Sequence, residues 1–163
     1  MNTKNTLIFV VCVFGALFLW NLHTNKEKSG NFPVKLFFYK ASLDSGAGGP
    51  NCTKKGLIGV NRTVFNSNTD NQVRDTIELL LSGTISAEEK NDGITTEFPL
   101  EGVKLTNFSL KDSVLTLTFS DPMNKTSGGS CRTGILRAQI EETAKQFRTV
   151  REVKILPSDL FQP

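Results

Sequence analysis

Histidine is nearly absent from this chain of 163 residues, and its scarcity excludes several kinds of catalytic site. The single histidine, His23, follows an apolar N-terminal stretch and lies outside the part of the sequence with globular patterning. Serine and cysteine nucleophiles of the usual kind need a histidine base, and Cys/His zinc sites need several such ligands. We therefore expect a protein that is not an enzyme and that uses no metal or cofactor.

Neither sign of charge dominates the chain. Its 19 Lys and Arg residues stand against 16 Asp and Glu, which gives a net charge of +3. The basic residues are scattered, with Lys54-Lys55 as the only adjacent pair, and no segment interleaves them with stacking aromatic residues. A nucleic-acid partner is therefore not expected.

Carboxylates are plentiful, but no spacing pairs any two of them across a sugar-sized cleft, as a glycosidase would need. A hydrolase with a carboxylate pair is thus the weakest functional hypothesis. Four glutamates are interpreted as solvated residues on helix faces: Glu88, Glu89, Glu141 and Glu142.

Only one long hydrophobic run is present, from Thr6 to Leu22, and as a helix it would be about 25 Å long. The bulky residues at 20–23 do not resemble a signal-peptidase site, which favours an uncleaved single-pass anchor over a cleaved signal that would leave a secreted protein. Residues 1–22 are thus read as anchor or signal segment, 23–33 as a polar linker, and 34–163 as one domain. The membrane partner would be residues 6–22.

Cysteine is scarce as well, and Cys52 and Cys131 are the only two in the predicted domain. An even number in a chain with an export segment favours a disulfide in an oxidising compartment, and hence an extracytoplasmic domain. Two buried free thiols are the alternative.

Hydrophobic periodicity predicts strands at 34–39, 57–65, 103–110, 114–119 and 150–156. The change of parity near Thr106-Asn107 predicts a bulge. A capping box at Thr69–Gln72 would begin one helix, which Gly83 ends, and Ser86–Glu89 would cap a short helical turn.

The stripe of the second long helix consists of Leu136, Ile140, Ala144 and Phe147. The expected fold is α+β in two layers, with two helices on one face of a mostly antiparallel sheet.

A glycine-rich loop precedes the second long helix. Exposed amides at a helix N-terminus, together with a guanidinium, could hold a phosphate or carboxylate. In the alternative interpretation the glycines only let the loop fold, Ser130 caps the helix and Cys131 bonds to Cys52. The residues of this candidate ligand loop are Ser127, Gly128, Gly129, Ser130 and Arg132.

The run Asp121-Pro122 through Lys125–Arg132, the helix after it and Thr96–Pro99 together resemble the GerMN domain, the sporulation and spore germination domain of bacteria. The resemblance covers roughly Val34 to Pro157. It implies a layer similar to the ring-building modules of bacterial secretion and sporulation complexes, without catalytic residues. Within this pattern, Glu97 and Pro99 would suit partner docking; a core-facing Phe98 under a rigid Pro99 is the alternative.

The leading functional hypothesis is a non-enzymatic, membrane-anchored extracytoplasmic module of the bacterial cell envelope. It would bind to itself in a ring or oligomer, or to another envelope protein. The second hypothesis is a solute- or glycan-binding domain that uses the loop from Ser127 to Arg132.

Overall fold

A computed structural model describes residues 30–66 and 68–162, so the predicted anchor at 6–22 lies outside the described residues. Within the described ranges no helix is long and apolar enough to cross a membrane. The helices are α1 (Thr69–Leu81), α2 (Ala87–Asn91) and α3 (Ser130–Lys145). The strands are β1 (Phe32–Lys40), β2 (Ser45–Gly46), β3 (Gly49–Pro50), β4 (Leu57–Val64), β5 (Ile94–Thr95), β6 (Lys104–Lys111), β7 (Val114–Ser120) and β8 (Glu152–Leu156).

The strands form several sheets instead of the single predicted sheet. Two are three-stranded, with the orders β4-β1-β5 and β6-β7-β8, and β2 and β3 form a two-stranded ribbon. The α+β class is confirmed, and the described residues contain three α-helices, of which α2 lies where a short helical turn was predicted. A bulge lies between Leu105 and Asn107, as predicted.

Strand β8 pairs in parallel with β7, whereas the other strand pairs are antiparallel. The physical reason is the connection: α3 carries the chain back along the sheet, so that β8 runs in the same direction as β7.

One hydrophobic core joins the two larger sheets. The buried apolar residues of α1 and α3 lie in it together with the inward faces of β1, β7 and β8, and Phe147, the last residue of the predicted stripe, is partly buried against it. Near the C-terminus, Phe161 is almost fully buried and meets Phe119 edge to face, with ring centroids 5.4 Å apart. The fully buried members include Leu36, Phe38, Val73, Ile77, Leu80, Leu115, Leu117, Leu136, Ile140 and Ala144.

The helix caps differ partly from those predicted. At α1 the capping box is wrong: the Asn68 side chain accepts from the amide of Asp70 at 2.8 Å, while Gln72 donates to the carbonyl of Asn66. The predicted cap of α2 is confirmed, because Ser86 and Glu89 bond each other reciprocally.

At α3 the N-cap is Gly129, and Ser130 is the first helical residue. The predicted Ser130 cap is therefore wrong, since a residue already inside the helix does not occupy the N-cap.

Two polar side chains, one in the last turn of α3 and one at its C-cap, cover the open edge of β1. This edge is open because β5 pairs with only Tyr39 and Lys40 of that strand. The Thr143 hydroxyl accepts from the amide of Phe37 at 3.0 Å. The Gln146 side chain accepts from the amide of Lys35 at 2.8 Å and donates to its carbonyl at 2.7 Å. The side chains of α3 thus replace a strand partner along this edge.

Thr143→Val tests this edge closure. The substitution keeps the shape and removes the acceptor of the Phe37 amide, so we expect the free energy of unfolding to fall by about 1–3 kcal/mol. Denaturant unfolding measures the change. Thr116→Val, on the half-exposed side of β7, is the matched control and should change stability by less than about 0.5 kcal/mol. Equal effects would show that the Thr143 bond contributes nothing.

Candidate functional site

The two surfaces singled out in the sequence lie side by side. The guanidinium of Arg132 donates from Nε to the Glu97 carboxylate at 2.6 Å, and from a terminal nitrogen to the carbonyl of Ser127. The side chain of Glu97 is half exposed and that of Arg132 less so. The candidate ligand loop and the candidate docking segment therefore form one surface, which we call the Glu97–Arg132 surface.

This ion pair changes what the loop can bind. An anion arriving at Arg132 would have to compete with a carboxylate that already occupies the guanidinium. A Cβ on Gly128 would lie 3.2 Å from Cδ of Arg132, so the glycine leaves room for that side chain to fold back over the loop. The contacts of Arg132 thus match the structural interpretation of the loop better than an open anion site.

Asp121 organises the beginning of the same loop. Its carboxylate accepts from the amides of Lys125 and Thr126 at 2.8 and 2.7 Å, and from the Thr126 hydroxyl at 2.8 Å. Burial raises the pKa of this carboxyl, but the hydrogen bonds from Thr126 and Lys125 outweigh it and hold the pKa below its usual value. The sequence signal was an Asp followed by a Ser/Thr-rich loop, because Asp side chains commonly bond backbone amides a few residues on.

A disulfide fixes the end of the loop. Cys131, in the first turn of α3, is bonded to Cys52, with the two Cα atoms 5.1 Å apart. The predicted pairing is confirmed, and the alternative of two free thiols is wrong.

The loop that carries Cys52 is itself held by Asp44, which sequence reasoning did not single out. The buried Asp44 carboxylate accepts from the Thr53 hydroxyl at 2.6 Å and from the Tyr39 hydroxyl at 3.0 Å. The Thr53 hydroxyl holds the pKa of Asp44 below its usual value despite burial, while burial and the neighbouring carboxylate raise the pKa of Tyr39. The disulfide therefore connects α3 to a loop with its own rigid support.

A family model described as Germane, sporulation and spore germination, matches residues 35–157. The chain belongs to the Germane family. Its fold is similar to that of the tandem GerMN domains of the sporulation protein GerM from Bacillus subtilis, with 20% identity and a TM-score of 0.51. That match covers 82% of this chain but only 41% of the GerM chain.

A putative lipoprotein from Clostridium perfringens also matches, with 13% identity, a TM-score of 0.41 and coverage of 82% and 81% of the two chains. No curated protein matches the sequence.

Two of the glutamates expected to be solvated are held in ion pairs in this Germane domain. The side chain of Glu89 is 18% exposed and pairs with Arg62 at 2.8 Å, and that of Glu141 is 17% exposed and pairs with Arg137 and Lys54. The expectation of solvated faces fails for both, because Arg62 of β4 lies opposite Glu89, while Lys54 and Arg137, the latter one turn earlier on α3, contact Glu141. Lys54 also bonds Glu142, so the Cys52 loop contacts α3 through charge as well as through the disulfide.

An apolar groove opens on the other side of the Glu97–Pro99 segment. Phe98 lies in the core, as the alternative interpretation of this segment predicted, and Pro99 is exposed; partner docking at Glu97 and Pro99 stays a prediction. The groove has a volume of about 400 Å³ and lies between the end of α1 and β6. Its lining residues, which we call the Pro99 groove, are Glu78, Leu81, Ser82, Phe98, Pro99, Leu100, Val103, Lys104, Leu105 and Phe119.

Metal ligands do not cluster in the part of the chain that the structure describes: no group of three or more His, Cys, Asp or Glu side chains is placed to hold an ion.

Proposed function

We propose that this Germane domain is a non-enzymatic binding module, anchored to the cell membrane by its N-terminal segment and exposed outside the cytoplasm. It would assemble with itself or with another envelope protein. The observation that carries this proposal is the Pro99 groove, an apolar concavity beside an exposed proline. Apolar surface that a domain leaves open in this way typically marks a protein contact.

The surroundings of the groove suit a protein segment. Half-exposed Leu100, Val103 and Leu105 supply apolar area, and Glu78 and Lys104 place opposite charges among the lining residues. Strand β6 is an edge of its sheet, so its outer side offers backbone amides and carbonyls. An extended segment could pair with such an edge while its side chains enter the groove.

The membrane and export parts of the proposal rest on the sequence. The apolar run before residue 23 is long enough for an anchor, and the disulfide favours an oxidising compartment. The Germane family description supports a role associated with sporulation or germination.

Sedimentation of a fragment comprising residues 31–163, in its oxidised form, tests the assembly. We expect concentration-dependent association that Leu100→Ser weakens at least tenfold, because the substitution removes apolar area from the groove. Leu43→Ser is the matched control, since Leu43 is 51% exposed and does not line the groove. A strict monomer would exclude self-assembly, and equal behaviour of the two variants would show that the groove is not the contact.

Arg132→Ala separates assembly from ligand binding at the loop. We expect association to be unchanged and the free energy of unfolding to fall by no more than about 1 kcal/mol, because the lost ion pair is partly exposed. Calorimetric titration with phosphate and with soluble wall glycan is expected to detect no Arg132-dependent binding. Binding that disappears in the variant would favour the solute or glycan hypothesis instead.

A further inference from the structure

Strand β1 begins at one end of the domain, and the N-terminal segment therefore enters the domain there. Phe32 pairs with Val64, which places the beginning of β1 beside the end of β4. The Gln146 bonds to Lys35 place the C-terminal end of α3 there too. We call this the entry end; it comprises residues 30–35, 61–66, 111–113 and 145–152.

The turn between β6 and β7 reaches the same end. The amide of Arg151 donates to the carbonyl of Ser113 at 2.8 Å, and Val114 pairs with Glu152 at the beginning of β8. The segment from α3 to β8 thus connects this turn to the beginning of β1.

We propose that the entry end is a docking surface for anionic lipid headgroups, so that the domain lies on the bilayer to which it is anchored. The inference rests on the membrane anchoring proposed above. Three features of the described residues carry it: exposed cations, an exposed aromatic residue and an open cavity whose lining includes Lys35, Asn61 and Gln146.

Cations are concentrated on the side of the entry end formed by β1, α3 and the β6–β7 turn. Two exposed carboxylates on the same side, Asp112 and Glu152, partly offset the positive charge. A third, Asp70, lies nearby at the beginning of α1. Lys145 makes one long contact, 3.9 Å to Glu141. The exposed cations are Lys35, Lys111, Lys145, Arg148 and Arg151. Basic side chains near an anionic leaflet are attracted to it over about a Debye length.

The aromatic residue is Phe65, which follows the last residue of β4 and exposes 66% of its surface. Aromatic side chains are enriched where protein meets the headgroup layer of a membrane. Its position next to the pairing of Val64 with Phe32 puts it at the entry end.

The cavity lies between β1 and the end of α3. It has a volume of about 430 Å³ and is lined by Pro33, Val34, Lys35, Asn61 and Gln146. An ammonium group and side-chain amides can bond to the phosphate and glycerol oxygens of a lipid headgroup.

The short connection between the predicted anchor and the domain favours lipid as the partner of this surface. If residues 6–22 cross the bilayer, residues 23–29 separate the anchor from Gly30 and span at most about 25 Å. Lys26 and Lys28 add positive charge to that connection. A short tether makes docking an intramolecular event, so that weak individual contacts suffice to keep the surface occupied.

The full chain, reconstituted in vesicles, tests the inference. One set of vesicles contains phosphatidylcholine and the other an equal mixture of phosphatidylcholine and phosphatidylglycerol. Resistance to alkaline extraction reports anchoring, and amide hydrogen exchange at 111–113 and 145–151 reports docking. We expect the chain to resist extraction from both sets of vesicles. Exchange at these amides should be at least threefold slower on the anionic vesicles, and high salt should remove this difference.

Arg148→Gln combined with Arg151→Gln should abolish the difference between the two lipids while leaving alkali resistance intact. Lys55→Gln combined with Lys90→Gln is the matched control: both lysines are exposed and lie toward the other end of β1, so the difference should persist. A chain that resists extraction but exchanges equally on both lipids would overturn the docking and leave the anchoring intact. A chain extracted by alkali would overturn the anchoring and, with it, this inference.

Discussion

Replacing Gly83 by alanine is expected to lower the free energy of unfolding by about 3–5 kcal/mol, or to prevent folding altogether. Gly83 has φ +65, in the left-handed region, and a Cβ there would lie 1.7 Å from the carbonyl oxygen of Phe98 and 2.2 Å from its carbonyl carbon. Backbone atoms cannot turn aside as a side chain would. The Phe98-Pro99 segment would therefore have to move, and Phe98 would move away from the core.

Gly93→Ala is the matched control for this effect. Gly93 has φ +82, but beyond its chain neighbours no heavy atom lies within 4 Å of the position that a Cβ would take. Only the left-handed backbone is then unfavourable, at about 1 kcal/mol. Denaturant unfolding of both variants separates the two contributions, and similar losses would show that the close approach to Phe98 is unimportant.

The Gly83 prediction also bears on the candidate site. Gly83 lets the end of α1 contact the backbone between Glu97 and Pro99, which separates the Glu97–Arg132 surface from the Pro99 groove. In a folded Gly83→Ala chain we would expect both surfaces to be altered together.

Local patterns predicted most of the elements because burial leaves a periodic signal. Gly83 was expected to end α1, and the change of parity at Thr106-Asn107 gave the bulge. The contact of Gly83 with Phe98 was beyond prediction, since it joins two backbone segments that share no local pattern.

Other differences between the predicted and the observed structure have local causes that are visible in the sequence. Asn68 precedes Thr69 and is at least as good an N-cap, so the capping-box pattern began one residue late. The parallel pairing of β8 with β7 follows from a strand, a helix and a strand in succession. Thr143 and Gln146 give no sequence signal for their contact with β1, because polar residues on a helix usually face solvent.

At the site, the sequence predicted the position of the loop but not the ion pair that Arg132 forms with Glu97. Arg132 and Glu97 are 35 residues apart, and nothing in their spacing indicates that they meet. The even number of cysteines did predict the disulfide, which is therefore the long-range contact most accessible to sequence reasoning.

Removal of that disulfide is the second large effect. The bond joins Cys52 to Cys131 across 79 residues, and the chain-entropy model gives about 4.5 kcal/mol for a closed loop of this length. We expect the Cys52→Ser, Cys131→Ser double variant to lose most of this, and its thermal midpoint to fall by about 10–15 °C. Adding a reductant should bring the unmodified domain to the same midpoint and leave the variant unchanged.

Lys54→Ala shows whether the covalent bond or the loop contact is responsible. It removes the ion pairs of the Cys52 loop with Glu141 and Glu142 but keeps the disulfide, and we expect it to cost no more than about 1 kcal/mol. A double cysteine variant that loses no more than Lys54→Ala would contradict the entropic account.

Cys131 directly precedes Arg132, so loss of the bond should also loosen the first turn of α3. We therefore expect faster amide exchange at 127–132 in the double variant, because the loop then keeps only its hydrogen bonds, among them those to Asp121, and the ion pair with Glu97.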